Sequence, residues 1–228
     1  MAKLPNSEPW ALGDAYRVRG DIHAASGDLD AALSDYRSAY AAGWDAEPGN
    51  AVLLFQAGDV DGAISALDRV LASVGWFGLQ RRGLILAHKA RICAWAGRSA
   101  DARASLDMLA AQFDGWPSPA IRALATEAEA SLAATTNDDP QSAMQFLQLA
   151  RQLWTSIGAE LDAARVRLNL ARLLTAKGDL AGALVEIDCA HSCARRIGAR
   201  LLERECAEIR AELVPKPINK APERPTAH

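Results

Sequence analysis

What this chain lacks narrows its function before any motif is read. No apolar run reaches the ~18 residues of a membrane span. Met1 to Pro9 holds no basic stretch leading into an apolar segment, so no signal peptide is expected and a cytoplasmic setting is the simplest reading. Cysteine is scarce: four in 228 residues do not make a disulfide framework. Positive charge is not in excess, and a net charge of −3 offers no bulk field for nucleic acid or an anionic membrane. No G-x-x-x-x-G-K-[ST] run is present to cradle a nucleotide phosphate. His23 and His88 fall on helical stretches with no Ser or Cys nucleophile at a strained turn, and Asp138-Asp139 reads as a turn and N-cap rather than an acid–base pair. A non-enzyme without a cofactor is the expectation. β-branched residues are few and alanine dominates, which favours helix over strand.

What is there is a recurring set of small residues. It begins as Gly20, Gly27, Ala32, Tyr36 and Ala39. It returns as Gly58, Ala63, Leu67; as Gly97, Ala102, Leu106; and as Gly178, Ala183, Ile187. A further copy keeps Ala143, Leu147 and Ala150 but carries Asp138 in place of the glycine. The alanines at 32, 63, 102, 143 and 183 lie 31, 39, 41 and 40 residues apart. Periods of this length mark stacked repeats.

Helix signals fall in pairs around these glycines. The first pair runs 10–26 and 29–42, with Asp28 placed as an N-cap after Gly27. Ala32, Leu33, Tyr36, Ala39 and Tyr40 form one apolar stripe. Further pairs are expected at 48–56 and 60–72, 77–96 and 99–113, 118–134 and 141–156, and 160–176 and 180–196. A last helix, 199–213, sets Leu202, Cys206, Ile209 and Leu213 on one face and charged residues on the other, as a polar-faced cap should. The domain expected is therefore 10–213, between a short N-terminal tail, 1–9, and a Pro-rich tail, 214–228. The longer, polar turn from Thr135 to Pro140 is where the array should flex.

The spacing Gly, Gly seven later, Ala five later, an aromatic four later and Ala three later resembles the tetratricopeptide repeat (TPR). The first repeat matches it fully, and the third and fifth match with Ala90 and Ala171 in place of the first glycine. The stretch from Gly43 to Ala51, followed by Gly58-Asp59-Val60, is similar to the helical repeat region of LuxR/MalT-type bacterial regulators. The resemblance implies an all-α, right-handed superhelix of about five helical hairpins plus a C-terminal cap. It also implies a non-catalytic role in regulation or signalling, here without the ATPase and DNA-binding parts of those regulators.

In TPR-like arrays the first helices line the concave face. Position by position, that puts Arg17, Asp21, Arg91, Trp95, Arg165, Leu168 and Arg172 on the inner surface. Arginines with a tryptophan suit a carboxylate-bearing peptide or small ligand; the alternative is a solvated helix face with scattered ion pairs. The chaperone-binding clamp of Lys and Asn is not reproduced, since Arg17 and Asp21 stand there. The expected partner is a protein segment, acidic in character. The other reading is a small-molecule effector, and a homodimer is left open. Cys189, His191 and Cys193 look like a chelating run, but His191 points roughly 200° from Cys189 on a helix. With Cys206 nearby, metal or redox use is weighed against small buried thiols, and the latter is favoured, as it is for Cys93. Of the tryptophans, all but Trp95 are expected to plug seams between repeats.

Overall fold

The computed structural model describes residues 9–73, 76–113, 118–135 and 139–213. Among them are eleven α-helices and no strand. They are α1 (Pro9–Ser26), α2 (Leu29–Ala41), α3 (Gly49–Gln56), α4 (Val60–Ala72), α5 (Trp76–Trp95), α6 (Ser99–Phe113), α7 (Pro119–Thr135), α8 (Pro140–Ser156), α9 (Glu160–Ala176), α10 (Leu180–Ile197) and α11 (Arg200–Leu213). Each expected helix is found within a residue or so of its sequence limits. The Pro-rich tail and the first eight residues lie outside the described residues, as do 136–138 of the turn expected to flex.

The Gly-Asp turns explain why the pairs are so tightly joined. Gly27 sits at φ 81°, a left-handed conformation that glycine adopts without penalty. Its N–H reaches Ala24 O at 3.1 Å, and the Asp28 N–H reaches His23 O at 2.9 Å. That is the Schellman closure of one helix. The Asp28 carboxylate then accepts the Ala31 N–H and opens the next helix. The same two-residue device recurs at Gly58-Asp59 and Gly178-Asp179. Asp139 caps α8 by accepting from the Ser142 N–H at 3.0 Å.

The repeat alanines set the spacing between helices. Ala32, Ala63, Ala102, Ala143 and Ala183 are all fully buried, as are Ala90 and Ala171. At Gly20 an added Cβ would come within 2.6 Å of the Tyr36 ring, so this position admits no side chain while Tyr36 fills the gap. The core is a succession of clusters rather than one centre. One joins Tyr36, Ala39 and Leu53; the next runs through α3 to α7; another joins α5 to α9; and the last gathers α9, α10 and α11. Leu202 and Cys206 are buried in that last cluster, with Ile209 and Leu213 packed against it.

One contact goes beyond the expected cap. α11 also packs against α1, the helix farthest from it in sequence. At the end of α1, a Cβ on Gly27 would meet the Arg204 guanidinium at 2.8 Å and lie 3.7 Å from the Leu201 nitrogen. The last helix thus has neighbours on both sides.

Candidate functional site

α3, α5, α7, α9 and α11, alternate helices along the chain, face a common cavity of about 400 Å³. Val52 and Phe55 of α3, Ile92 and Trp95 of α5, Leu168 of α9 and Leu202 of α11 supply its apolar wall. Arg91, Arg165 and Arg172 supply cations, Glu205 an anion, and Asn169, Ser131 and Gln56 polar groups. Trp95 keeps 38% of its surface exposed, and its ring lies 6.0 Å from that of Phe55 at an interplanar angle of 33°.

The three arginines are held differently. Arg91 is only 4% exposed. It stacks 4.8 Å from the Trp95 ring centroid, donates to Glu127 Oε2 at 3.4 Å and lies 3.2 Å from His88 Nδ1. Its Nε–H is buried without a hydrogen-bond acceptor. Glu127, 2% exposed, also accepts the Trp154 indole N–H at 2.8 Å, so one carboxylate ties α5, α7 and α8 together. Burial pushes the Glu127 carboxyl above the usual carboxylate range, against the pull of Arg91 and Trp154. Arg165 is 32% exposed, with Asp162 at 3.7 Å on its own helix. Burial lowers its pKa, and so does repulsion from Arg91. Arg172 is half-exposed; it donates to Asn169 at 2.8 Å and pairs with Glu205 across the cavity. His88, beside Arg91, is held well below its ordinary value of 6.5 by burial and by the nearby Arg91 and Arg165 charges. A neutral imidazole can accept from Arg91; a charged one would repel it.

Five of the seven residues expected on the inner face therefore meet in one cavity: Arg91, Trp95, Arg165, Leu168 and Arg172. Arg91 is not on an open, solvated face but buried, and Leu168 is a wall residue at 1% exposure. Arg17 and Asp21 are not among the cavity residues. Arg17 binds Asp14 at 2.9 Å and Asp21 at 2.8 Å, and Asp21 accepts the Tyr36 hydroxyl at 2.9 Å. Burial raises the Asp21 pKa. These groups saturate one another beneath α3, where a side chain at Gly49 would strike both Asp21 and Tyr36.

Sequence reasoning missed Phe55, Glu127 and Glu205. Setting Gly58 on Gly97 would have found Val52 and Gln56, the equivalents of Arg91 and Trp95, with Phe55 beside them. No repeat register predicts Glu127 or Glu205.

The thiols divide. Cys93 and Cys206 are buried, and burial pushes each up to about 11. Cys189 is exposed and Cys193 partly so, which corrects the expectation of small buried thiols there. Cys193 lies 3.6 Å from the Glu160 carbonyl oxygen, and His191 lies 4.0 Å from Glu203. Among the described residues no three His, Cys, Asp or Glu side chains are grouped to hold a metal ion. No described helix is long and apolar enough to cross a membrane. Trp154 is a core residue bound to Glu127, and Trp44 lies 5.8 Å from the Arg81 guanidinium.

Compared with known families, with curated proteins and with solved structures, the chain finds no match.

Proposed function

We propose that this chain is a non-catalytic binding module whose helices follow the right-handed path of a TPR-like superhelix, and whose cavity between alternate helices receives an anionic group of a partner. The supporting observation is the meeting of three guanidinium groups, Arg91, Arg165 and Arg172, at one cavity, with the Arg91 Nε–H buried and unsatisfied. A buried polar group without a partner carries a cost that a bound acceptor removes, and guanidinium groups match carboxylates in geometry and charge. Among the described residues no nucleophile–base pair faces the cavity, and binding without chemistry is the simplest use of it.

The occupant expected first was an acidic protein segment, and the second was a small-molecule effector. The volume favours the second. About 400 Å³ falls within the range of small-molecule pockets. The setting that goes with this reading is regulatory, as in the LuxR/MalT-type repeat regions that the Gly43–Ala51 stretch resembles.

The test is a melting-temperature screen of the whole chain against acidic peptides and small carboxylic acids, repeated with Arg165→Glu and Arg172→Glu. Ligands of the folded state raise the melting temperature by mass action. The variants should fold and lose the response. An unchanged response in both would remove the site from this cavity.

A further inference from the structure

The same cavity carries a more specific reading of its ligand. The formal charges around it are balanced: Arg91, Arg165 and Arg172 against Glu127, Asp162 and Glu205. A ligand anion can enter only where a resident carboxylate yields. Glu127 cannot, because it is 2% exposed and holds both Arg91 and Trp154. Asp162 sits three residues before Arg165 on the same helix and does not line the cavity. Glu205 is different. It is 42% exposed, it comes from α11, and its partner Arg172 is 49% exposed. It can turn to water at small cost, since pairs this exposed are weak.

We propose that the cavity is a receptor for a small aromatic monocarboxylate, and that Glu205 is a resident stand-in for the ligand's carboxylate. This rests on the reading of the cavity as an anion-binding site. The ligand carboxylate replaces Glu205 on Arg172 and is shared with Arg165, whose pairing with Asp162 is long at 3.7 Å. The number of anionic groups is one, because only one resident anion is displaceable. The body is flat and apolar because most of the uncharged wall is: Trp95 and Phe55 lean towards each other, and Val52, Ile92, Leu168 and Leu202 outnumber the polar Gln56, Ser131 and Asn169. Aromatic rings gain from such tilted and offset contacts beyond their area.

The experiment titrates the full chain with benzoate, phenylacetate and 2-naphthoate, with benzamide and succinate as the neutral and the non-aromatic controls, followed by calorimetry. Aromatic carboxylates should bind and the controls should not. Glu205→Gln removes the competitor and should tighten aromatic carboxylates roughly two- to fivefold. Arg172→Gln should weaken them about tenfold or more. Trp95→Leu should reduce the preference for aromatic over aliphatic acids by roughly two- to tenfold. Circular dichroism melts of each variant separate lost binding from lost fold. Absence of aromatic carboxylate binding to both the native chain and Glu205→Gln overturns the inference. If acidic peptides then bind in an Arg172-dependent way, the anion-binding reading stands and only the ligand class falls. If neither class binds, both fall.

Discussion

At the scale of single residues, this protein depends on positions that hold almost nothing. Ala32 is fully buried between two helices, and Gly20 leaves room only for the Tyr36 ring. Ala32→Leu should cost roughly 1–3 kcal/mol by overpacking; denaturant unfolding that shows no loss would mean the helices are not in close contact there. His88 is a second residue-scale case, and it titrates. Its folded pKa is depressed by burial and by Arg91 and Arg165. The unfolded chain therefore takes up a proton near pH 6.5 that the folded chain refuses. The stability this contributes is present above about pH 6.5 and is lost as pH falls below it. His88→Gln keeps an acceptor for Arg91 and cannot charge. Melting temperatures taken between pH 5 and 8 should fall less steeply towards acid for this variant than for the native chain, and parallel curves would show that His88 is not the titrating group.

At the scale of elements, a single aspartate serves two helices at each Gly-Asp turn. Its backbone N–H closes the helix before it and its carboxylate caps the helix after it. Asp179→Ala should lose the cap, about 1 kcal/mol, while the backbone closure survives because it needs only the N–H; Asp179→Asn should recover most of the loss. Glu127 works between elements instead. Glu127→Ala leaves Arg91 buried without a counter-charge and should cost about 3–5 kcal/mol, read as a fall in denaturation midpoint. Glu127→Gln retains an acceptor for Trp154 and should cost less. The elements themselves were legible from the sequence, because Gly27, Gly58 and Gly178 announce their turns and the following Asp its cap. The site was legible in part. The repeat register sets Arg91 on Arg172, Leu168 and Arg165 lie one turn apart on the helix that carries Arg172, and all four meet. The same register carries Arg17 and Asp21, but it takes no account of a Tyr36 hydroxyl that draws Asp21 into a private network with Arg17. Nor could it reach Glu205, since α11 follows the last repeat and its side of the cavity depends on where the chain ends up after Gly198.

At the scale of the whole molecule, the succession of small cores means that stability is distributed, with each cluster shared between neighbours. α11 completes the cavity wall through Leu202 and Glu205 while packing Leu202, Cys206, Ile209 and Leu213 into the last cluster. Removing residues 200–213 should therefore do two things at once: lower the melting temperature, through loss of the Leu202 and Cys206 contacts, and abolish ligand-induced stabilisation. A truncated chain that still responds to carboxylates as the native chain does would place the site elsewhere.

The meeting of α1 and α11 has one more consequence. The paired helices are tethered by short turns, so a local opening there closes again on a leash of a few residues. The joint between the first and last helices has no such leash, because nearly the entire chain lies between its two halves. Closing so long a span costs more chain entropy than closing a short turn, so the joint is expected to act as a clasp, the last contact to form and the first to let go. Hydrogen exchange followed helix by helix should find amides of α11 and of the α1 end at Gly27 exchanging before those of α7 and α8, and an aromatic acid in the cavity should fasten the clasp and slow them.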